Sequence, residues 1–450
     1  MKLQLVCVLA LFFIVSSCAT NSISQTPDIQ SETTTETIVI KKIEPTKTLS
    51  PVPTFSPTPS PTQVGGGSGK IIFEYMKPDY IETFPGLAGE MHVFIADLDG
   101  ANLSPVTAQL DGFNDIEDIS PNGRYALIAS MENVGYEKNQ IARLNLIDLN
   151  SIDYEPMLLA NVYPPYFWNS TAKWVNDETF VYIGMGDHEF GITLMKIDGS
   201  PAINLYSYQN NGEDKKPSEI IAIDKTRIYW ASEVSKPFPN NPSMRSVENY
   251  IWWTSLDGKE TNPLLVKGKQ LSVSLYWNPL VLSSDYSKIA WSESAKPESG
   301  PPYHNYIHIA SLSDLENLDS IDTFTGHFAL KWLPADSGLL ALDYGSFTWP
   351  EHNSRDNYGL YEVPISTESE KRNYYHQSSE IKELIDYSDS VDLYDISPDG
   401  YFVIIASKKF INEQQVDKEI YLLNLETLSI TPLDGFHFSN PEKVNIHWLN

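Results

Sequence analysis

The stretch Asp395–Ser407, DISPDGYFVIIAS, predicts a β-strand, a tight turn and a second β-strand. Pro398 presets the backbone of the turn, Gly400 takes a positive φ, and the apolar run that follows is typical of a buried strand. After a polar loop, Glu419–Leu433 (EIYLLNLETLSITPL) predicts a third strand, a hairpin turn and a fourth strand. The whole segment therefore predicts one four-stranded antiparallel unit.

Copies of this unit account for nearly all of the chain after residue 70. Six positions carry Asp or Asn four residues before an apolar strand residue, namely Asn122/Ala126, Asp177/Val181, Asp224/Ile228, Asp285/Ile289, Asp336/Leu340 and Asp399/Val403. The apolar members recur at intervals of 55, 47, 61, 51 and 63 residues, which indicates a repeat architecture. Because Asp and Asn side chains hydrogen-bond turn backbones, we expect these residues to form turns rather than a catalytic site.

The two ends of the repeat region are complementary. Val444–Asn450 (VNIHWLN) has the pattern of a first strand, because its Trp448 matches the first-strand Trp174, and no second strand follows it. Lys70–Phe73 (KIIF) has the pattern of a second strand and fits the repeat period. One unit would thus take its first strand from the C-terminus and its other three strands from residues 70 to about 107. A ring closed in this way protects its sheet edges, and the pattern predicts seven blades, with six or eight as alternatives.

The repeats resemble the TolB-like β-propeller family, with its degenerate WD-type pattern of a tryptophan, Ser-Pro-Asp-Gly and an apolar strand. The repeat at Asp399 matches this pattern well and the repeat at Asn122 nearly so, whereas the repeat at Asp224 lacks both Pro and Gly. The resemblance covers residues 70–450 and implies an all-β β-propeller, for which the repeat count predicts seven blades. It implies no particular ligand.

The N-terminal segment MKLQLVCVLALFFIVSSCAT is typical of a secretion signal. Leu3–Val15 is an apolar run that is too short to span a bilayer comfortably. The run ends in Val15-Ser16-Ser17-Cys18, which resembles the lipobox of bacterial lipoproteins. That resemblance implies removal of residues 1–17 and acylation of Cys18, which makes the lipid bilayer a partner. We therefore expect an anchored protein outside the cytoplasm, on the cell surface or facing the periplasm.

Residues 18–69 have almost no apolar periodicity. Thr/Ser-rich sequence passes into PVPTFSPTPSPTQVGGGSG (Pro51–Gly69), in which proline favours extended polyproline conformation and the Gly/Ser end is flexible. The sequence therefore predicts a disordered tether that carries the propeller domain of residues 70–450. Because Cys7 lies in the segment to be removed and no third cysteine occurs, no disulfide is predicted.

The chain is strongly acidic, with a formal net charge of −28 at pH 7. A nucleic-acid partner is excluded because the protein has no basic field to replace the counterions of a phosphate backbone. The sequence contains no Gly-x-Ser-x-Gly elbow, no His-Glu-x-x-His motif and no P-loop. We therefore predict no cofactor, no metal and no specific catalytic residue.

The long loops on the face opposite the tight turns are the predicted ligand site, because loops carry binding residues more often than scaffold strands do. Side chains in these loops that could stack on sugars or anchor peptides are Trp168, Tyr303, His304, Trp349, His352 and Arg355. The sequence favours a non-catalytic binding or scaffold module for a protein, peptide or glycan partner of the cell envelope. The alternative is a carbohydrate-active enzyme, a lyase or hydrolase, at the centre of this long-loop face, where His304, His352 and His188 could converge on a metal.

Overall fold

The computed structural model describes residues 66–76, 91–131, 142–162, 170–185, 190–208, 215–238, 241–273, 280–295, 304–323, 328–343, 359–364, 372–373, 391–411, 414–439 and 443–449. All of them lie in the second of the two compact parts into which the chain divides, Pro61–Asn450. They form β-strands and turns, apart from one 3-10 turn, η1 (Pro334–Asp336). The all-β fold class is therefore confirmed. The signal segment, Cys18 and the tether up to residue 65 lie outside the described residues.

By their antiparallel pairings we group the described strands into seven units, numbered in chain order. Unit 1 contains β1 (Lys70–Met76), β2 (Met91–Asp97) and β3 (Ser104–Pro105). Unit 2 contains β4 (Phe113–Ile119), β5 (Tyr125–Met131), β6 (Ala142–Asp148) and β7 (Met157–Val162). Unit 3 contains β8 (Ala172–Asn176), β9 (Thr179–Met185), β10 (Phe190–Lys196) and β11 (Ile203–Tyr208).

Unit 4 is the most elaborate. Its main strands are β12 (Pro217–Ile223), β13 (Arg227–Phe238), β14 (Asn241–Ser255) and β15 (Thr261–Pro263). A small hairpin follows, made of β16 (Leu265–Val266) and β17 (Lys269–Gln270), and then β18 (Ser272–Val273), which pairs with β14.

The last three units return to the simple pattern. Unit 5 contains β19 (Leu280–Leu282), β20 (Lys288–Ala295), β21 (His304–Ser311) and β22 (Asp314–Thr323). Unit 6 contains β23 (Phe328–Trp332), β24 (Gly338–Asp343), β25 (Gly359–Pro364) and β26 (Arg372–Asn373). Unit 7 contains β27 (Val391–Ile396), β28 (Phe402–Ile411), β29 (Gln414–Asn424) and β30 (Ile430–Ser439).

The C-terminal strand β31 (Lys443–Trp448) joins unit 1 rather than unit 7. It pairs antiparallel with β1, so that Ile71 lies opposite Trp448 and Tyr75 lies opposite Val444. The backbone next to this pair is also bonded, because Leu449 donates to the carbonyl of Lys70 at 3.0 Å. The hydrogen-bonded order in unit 1 is therefore β31-β1-β2-β3.

Units 1, 2 and 3 also touch through their sheets. Single residue pairs, Met91 with Phe113 and Val162 with Gly184, connect their strands into one sheet of twelve strands. Each of the other units forms a separate main sheet.

The tight turns follow the sequence prediction. In unit 7, Gly400 has a φ of 76°, and Asp399 Oδ1 accepts hydrogen bonds from the Ser397 hydroxyl at 2.7 Å and the Tyr401 amide at 3.1 Å. The Asp-Gly hairpins behave in the same way, since their glycines take positive φ at Gly100, Gly199 and Gly258. These turns join neighbouring antiparallel strands, as predicted.

The long loops that the sequence predicts over Glu233–Glu248 and Lys408–Lys418 are wrong, because both stretches contain paired strands. In unit 4 the pairing of β13 with β14 continues from Glu233, opposite Asn249, as far as Phe238, opposite Asn241. In unit 7 the pairing of β28 with β29 likewise extends to Ile411, opposite Gln414. Both stretches are rich in polar residues, so they lack the apolar periodicity that predicts a strand. An extended two-stranded hairpin is held by backbone hydrogen bonds and does not require an apolar face.

Within the described residues the core is divided into seven hydrophobic clusters, and each cluster takes its side chains mainly from two units. Six of them join units that follow one another along the chain. The remaining cluster joins unit 7 to unit 1, because Ile404 and Ile420 pack together with Phe73 and Ile446.

From unit 2 onward, the first strand of each unit contacts the first strand of the next, and the series ends at β31 of unit 1. Along this series β4 contacts β8, β8 contacts β12, β12 contacts β19, β19 contacts β23, β23 contacts β27, and β27 contacts β31. Side chains of the first strands from non-adjacent units can therefore influence one another.

No helix long and apolar enough to cross a bilayer occurs in the part of the chain that the structure describes.

Candidate functional site

The predicted ligand residues fall almost entirely on segments that the structure does not describe. Outside the described residues lie Trp168, His188, Tyr303, Trp349, His352 and Arg355. His304 is the first residue of β21, where its backbone pairs with Ala295. The grouping of these residues on one face therefore stays a prediction.

A different group of ionisable side chains is brought together by the first strands of six units. We call it the first-strand cluster, and it consists of Asp115 and Glu117 on β4, Lys173 on β8, Glu219 on β12, Lys331 on β23, Asp395 on β27 and His447 on β31.

Glu117 is buried and joins unit 2 to unit 3. Its carboxylate oxygens accept hydrogen bonds from the backbone amide and the hydroxyl of Thr171 and, at 3.1 Å, from the amide of Ala172. Burial, assisted by the nearby Asp115, raises the pKa of Glu117 to about 8, although these hydrogen bonds act in the opposite direction. Glu117 is thus protonated in a large fraction of molecules at neutral pH.

Glu219 is also buried, with only 8% of the residue exposed, but its surroundings differ. Its buried Oε2 atom has no hydrogen-bond partner in the part of the chain that the structure describes. Burial raises the pKa of Glu219 to about 8, the ammonium of Lys173 lowers it, and Glu117 raises it further. A buried carboxyl oxygen without a partner lowers the stability of the folded state.

His447 lies on β31 and is influenced by charged groups from four other first strands. Burial lowers the pKa of His447 to about 4, and Lys331 and Lys173 lower it too, whereas Asp395 and Asp115 act in the opposite direction. Its Nε2 atom is buried and has no hydrogen-bond partner among the described residues. The imidazole is therefore neutral at physiological pH.

Lys331 and Asp395 form an ion pair between units 6 and 7. Lys331 Nζ lies 3.4 Å from Asp395 Oδ1, and 27% and 24% of the two side chains are exposed. The second oxygen of Asp395 accepts the backbone amide of Trp448 at 3.0 Å. Because both side chains remain partly exposed, solvent reaches this part of the cluster.

Asp118 in unit 2 repeats the arrangement of Asp395. Its Oδ2 accepts the backbone amide of Trp174 at 2.8 Å, and its Oδ1 accepts the amide of the next residue, Ile119, at 3.0 Å. Asp395 does the same with Trp448 and Ile396. These two aspartates hold the first strands of neighbouring units together.

The cluster combines hydrogen-bond donors and acceptors with a small net charge. It includes two ammonium groups, two buried carboxyl groups that are largely protonated near neutral pH and a neutral imidazole, and Lys173 influences both Glu219 and His447. Among the described residues, no three His, Cys, Asp or Glu side chains are placed to hold a metal ion. The arrangement suits recognition of a polar group by hydrogen bonds.

Sequence reasoning missed this cluster, although a signal was present. Three of its members stand directly before a first-strand tryptophan, in Lys173-Trp174, Lys331-Trp332 and His447-Trp448. A polar residue at the same place in several repeats predicts side chains that meet where the first strands meet. Neither of the buried glutamates, Glu117 and Glu219, stands before a tryptophan.

No family model and no curated protein matches this chain. Among solved structures, it is similar to the periplasmic gluconolactonase of Pseudomonas aeruginosa, with 11% identity and a TM-score of 0.47 over 85% of this chain and 100% of that one. It is also similar to the oligogalacturonate lyase from Vibrio parahaemolyticus, with 11% identity and a TM-score of 0.45 over 80% of this chain and 84% of that one. TolB from Acinetobacter baumannii has 12% identity and a TM-score of 0.38 over 84% of this chain and 65% of that one. With TM-scores below 0.5, these likenesses carry no conclusion about this chain.

Proposed function

We propose that residues 70–450 form a seven-bladed β-propeller in which each unit is one blade. Seven hydrophobic clusters that join consecutive units, the last of them joining unit 7 to unit 1, support this arrangement. The succession of contacts between first strands supports it as well, because the first strand of each blade lies nearest the axis of a propeller.

In this proposal the ring closes within unit 1. The pairing of β31 with β1 supplies support, because the first strand of that unit comes from the C-terminus and the other three come from the N-terminal part of the repeat region. Such closure leaves fewer sheet edges open to aggregation than an open array of the same units would.

The protein is further proposed to be a lipoprotein held outside the cytoplasm by an acylated Cys18 and a tether of residues 18–69. The apolar run Leu3–Val15 followed by Ser16-Ser17-Cys18 supports this. Replacing Cys18 by alanine should move the protein from the membrane fraction to the soluble fraction. A Cys7→Ala variant is the matched control and should remain in the membrane fraction. Retention of the Cys18→Ala variant in membranes would refute the anchor.

The function that the geometry supports best is non-catalytic binding of a polar partner, a protein, peptide or glycan, at the first-strand cluster. One observation carries it: ionisable side chains from six units meet there, and buried polar atoms of Glu219 and His447 have no partner within the described residues. A glycan array and a peptide library, each screened with the full chain, test this. We expect retention of at least one ligand class without conversion, and no retained ligand would contradict binding.

A carbohydrate-active enzyme is the second candidate. The observation in its favour is that burial raises the pKa of both Glu117 and Glu219 to about 8, which is how carboxyl groups are prepared for acid catalysis near neutral pH. Product analysis after incubation with the retained glycans, together with the metal content of the purified chain, separates the two candidates. Glycan cleavage with stoichiometric transition metal would replace the binding proposal by the enzyme.

A further inference from the structure

The outer strand of unit 2, β7, carries an exposed apolar surface. Met157 and Leu158 at its start are 46% and 59% exposed, and Ile152 in the turn before it is 94% exposed. Among the described residues, no other unit exposes more than one large apolar side chain. Contiguous apolar side chains in water are typical of a surface that binds another molecule.

The backbone of β7 is open along the side that faces away from β6. The strand pairs with β6 from Met157, opposite Leu146, to Val162, opposite Ala142, but its other side has a single pair, Val162 with Gly184. In the part of the chain that the structure describes, no further backbone hydrogen bond involves residues 157–161. A row of open N–H and C=O groups is a template for another extended chain.

Most outer strands of the other units are protected against such pairing. The strands β3, β15 and β26 are very short, β22 is acidic in sequence, and β30 contains Pro432. By contrast, β7 (MLLANV) contains neither a charged residue nor a proline. The same is true of β11, but its exposed large apolar residue is Ile203 alone. Among the described outer strands, β7 therefore combines an open edge with the most exposed apolar side chains.

We propose that β7 is a docking site for an extended segment of another protein, which adds to the sheet as an antiparallel strand and packs apolar side chains against Ile152, Met157 and Leu158. The open edge specifies an extended backbone, and the exposed side chains specify apolar residues on it. This surface goes beyond the proposed binding function, because it uses no residue of the first-strand cluster.

The turn that carries Ile152 is fixed to the body of the protein. Tyr154 has a φ of 45° and packs against the hydrophobic cluster that joins units 1 and 2. Gln109 Nε2 donates a hydrogen bond to the carbonyl oxygen of Asp153 at 3.0 Å. Because the turn is already ordered, less conformational entropy is lost when a partner covers Ile152.

The charges near β7 indicate the chemistry of the partner. Asp153 and Glu155 are exposed directly before the strand, and the whole chain has a net charge of −28. A second copy of this chain is disfavoured as the occupant because two strongly acidic chains repel each other. The C-terminal end of an antiparallel added strand lies beside Met157, so Lys or Arg at that end is attracted to the two acidic side chains.

A β-bulge limits the length of the added strand. Ala160 lies opposite Leu144 and Leu158 lies opposite Asn145, so that Leu159 is the extra residue. A bulge increases the local twist and interrupts regular pairing. The backbone bonds to the added strand are therefore few, and contacts with the exposed apolar side chains supply much of the affinity.

A phage-displayed library of random dodecapeptides, panned on the purified full chain, tests the inference. We expect selected peptides to alternate apolar and polar residues and to carry Lys or Arg near the C-terminal end. Each peptide is then compared by fluorescence anisotropy with its two alternately N-methylated forms, each of which cannot donate hydrogen bonds from one edge. One of the two forms should bind about tenfold or more weakly than the parent peptide.

Variants and hydrogen exchange locate the peptide. Leu158→Glu should weaken binding about tenfold or more, whereas Ile203→Glu, at a similarly exposed position on β11, should change nothing. Amide exchange at residues 157–161 of the native chain should slow when a selected peptide is bound. Melting curves show whether each variant is folded, and the exchange measurement tests the inference if Leu158→Glu does not fold.

Failure to select any peptide, equal binding to Leu158→Glu and Ile203→Glu, or unchanged exchange at residues 157–161 would overturn the inference. Equal binding of the parent peptide and both N-methylated forms would overturn strand addition. Sedimentation velocity tests the alternative occupant, since a dimer of the native chain that Leu158→Glu disperses would replace the partner protein by a second copy.

Discussion

At the scale of single residues, two buried glutamates of similar pKa have different tasks. Glu117 has its oxygens occupied by Thr171 and Ala172, so it serves as a bridge between units 2 and 3. Glu219 has a buried oxygen without a partner among the described residues, and Lys173 lowers its pKa. Burial raises the pKa of both glutamates, whereas the number of satisfied oxygens differs between them.

Glu219 should make the stability of the domain depend on pH. Its folded-state pKa of about 8 lies above the ordinary value of 4.5, so its contribution is fully present below pH 4.5 and is lost as the pH rises to about 8. The Glu219→Gln variant should therefore gain stability relative to the native chain over this window, by on the order of 1–3 kcal/mol.

Chemical denaturation at pH 5 and pH 8.5 measures this difference. Glu178→Gln, at an exposed turn of unit 3, is the control and should track the native chain at both pH values. Glu117 titrates over the same window, so the Glu219→Gln variant should keep part of the slope. A Glu219→Gln variant with the native slope would contradict the buried, protonated state of this carboxyl group.

At the scale of elements, the repeated turn residues are of two kinds. Asp224, Asp285 and Asp399 accept amides of their own turns. Asp336 instead accepts the Ser284 amide at 2.6 Å, the Ser284 hydroxyl at 3.0 Å and the Asp285 amide at 3.2 Å in the turn of the preceding unit. Asp177 similarly accepts the Asn122 amide at 2.9 Å. Two turn residues thus connect neighbouring units.

Removing the two connecting aspartates should have unequal effects. Asp336→Ala should destabilise the domain by about 2–3 kcal/mol, because Asp336 is buried and the Ser284 and Asp285 amides would lose their acceptor. Asp177→Ala should cost about 1 kcal/mol or less, because the single bond that it removes is exposed to water.

Denaturant midpoints of the two variants, compared with that of the native chain, measure these costs. Asp336→Asn provides the conservative comparison, since its amide oxygen can still accept one of the bonds. Equal losses of stability for Asp177→Ala and Asp336→Ala would show that the hydrogen bonds of Asp336 to unit 5 contribute no more than the single exposed bond of Asp177.

The sequence predicted the turns and missed their partners, for a physical reason. Pro398, Asp399 and Gly400 specify a turn through their own backbone preferences, which are local. The acceptor role of Asp336 depends on Ser284, which is 52 residues away, and no local preference records it. The first-strand cluster is hidden in the same way, because Lys173, Glu219 and His447 come together only through the packing of different units.

At the scale of the whole repeat region, the joining of its two ends depends on β31. Ile446 and Trp448 on this strand are 0% and 5% exposed, and both belong to the cluster that also contains Phe73 of unit 1 and Ile404 of unit 7. The backbone of Trp448 is bonded to Asp395 of unit 7, which adds a polar connection to the apolar one. A short terminal strand therefore contributes to two units at once.

Deleting residues 442–450 should consequently unfold the domain or lower its melting temperature sharply. Loss of the buried Trp448 and Ile446 costs about 2–5 kcal/mol for each side chain, which is comparable with the total stability of about 5–15 kcal/mol typical of a folded domain. Thermal unfolding followed by circular dichroism measures the change.

A variant with six residues added after Asn450 controls for altering the terminus and should melt like the native chain. Because β31 pairs with β1 along its whole length, a synthetic peptide of residues 440–450 added to the truncated chain should restore part of the lost stability. A truncated chain with the native melting curve would show that β31 is dispensable and would refute closure of the ring through unit 1.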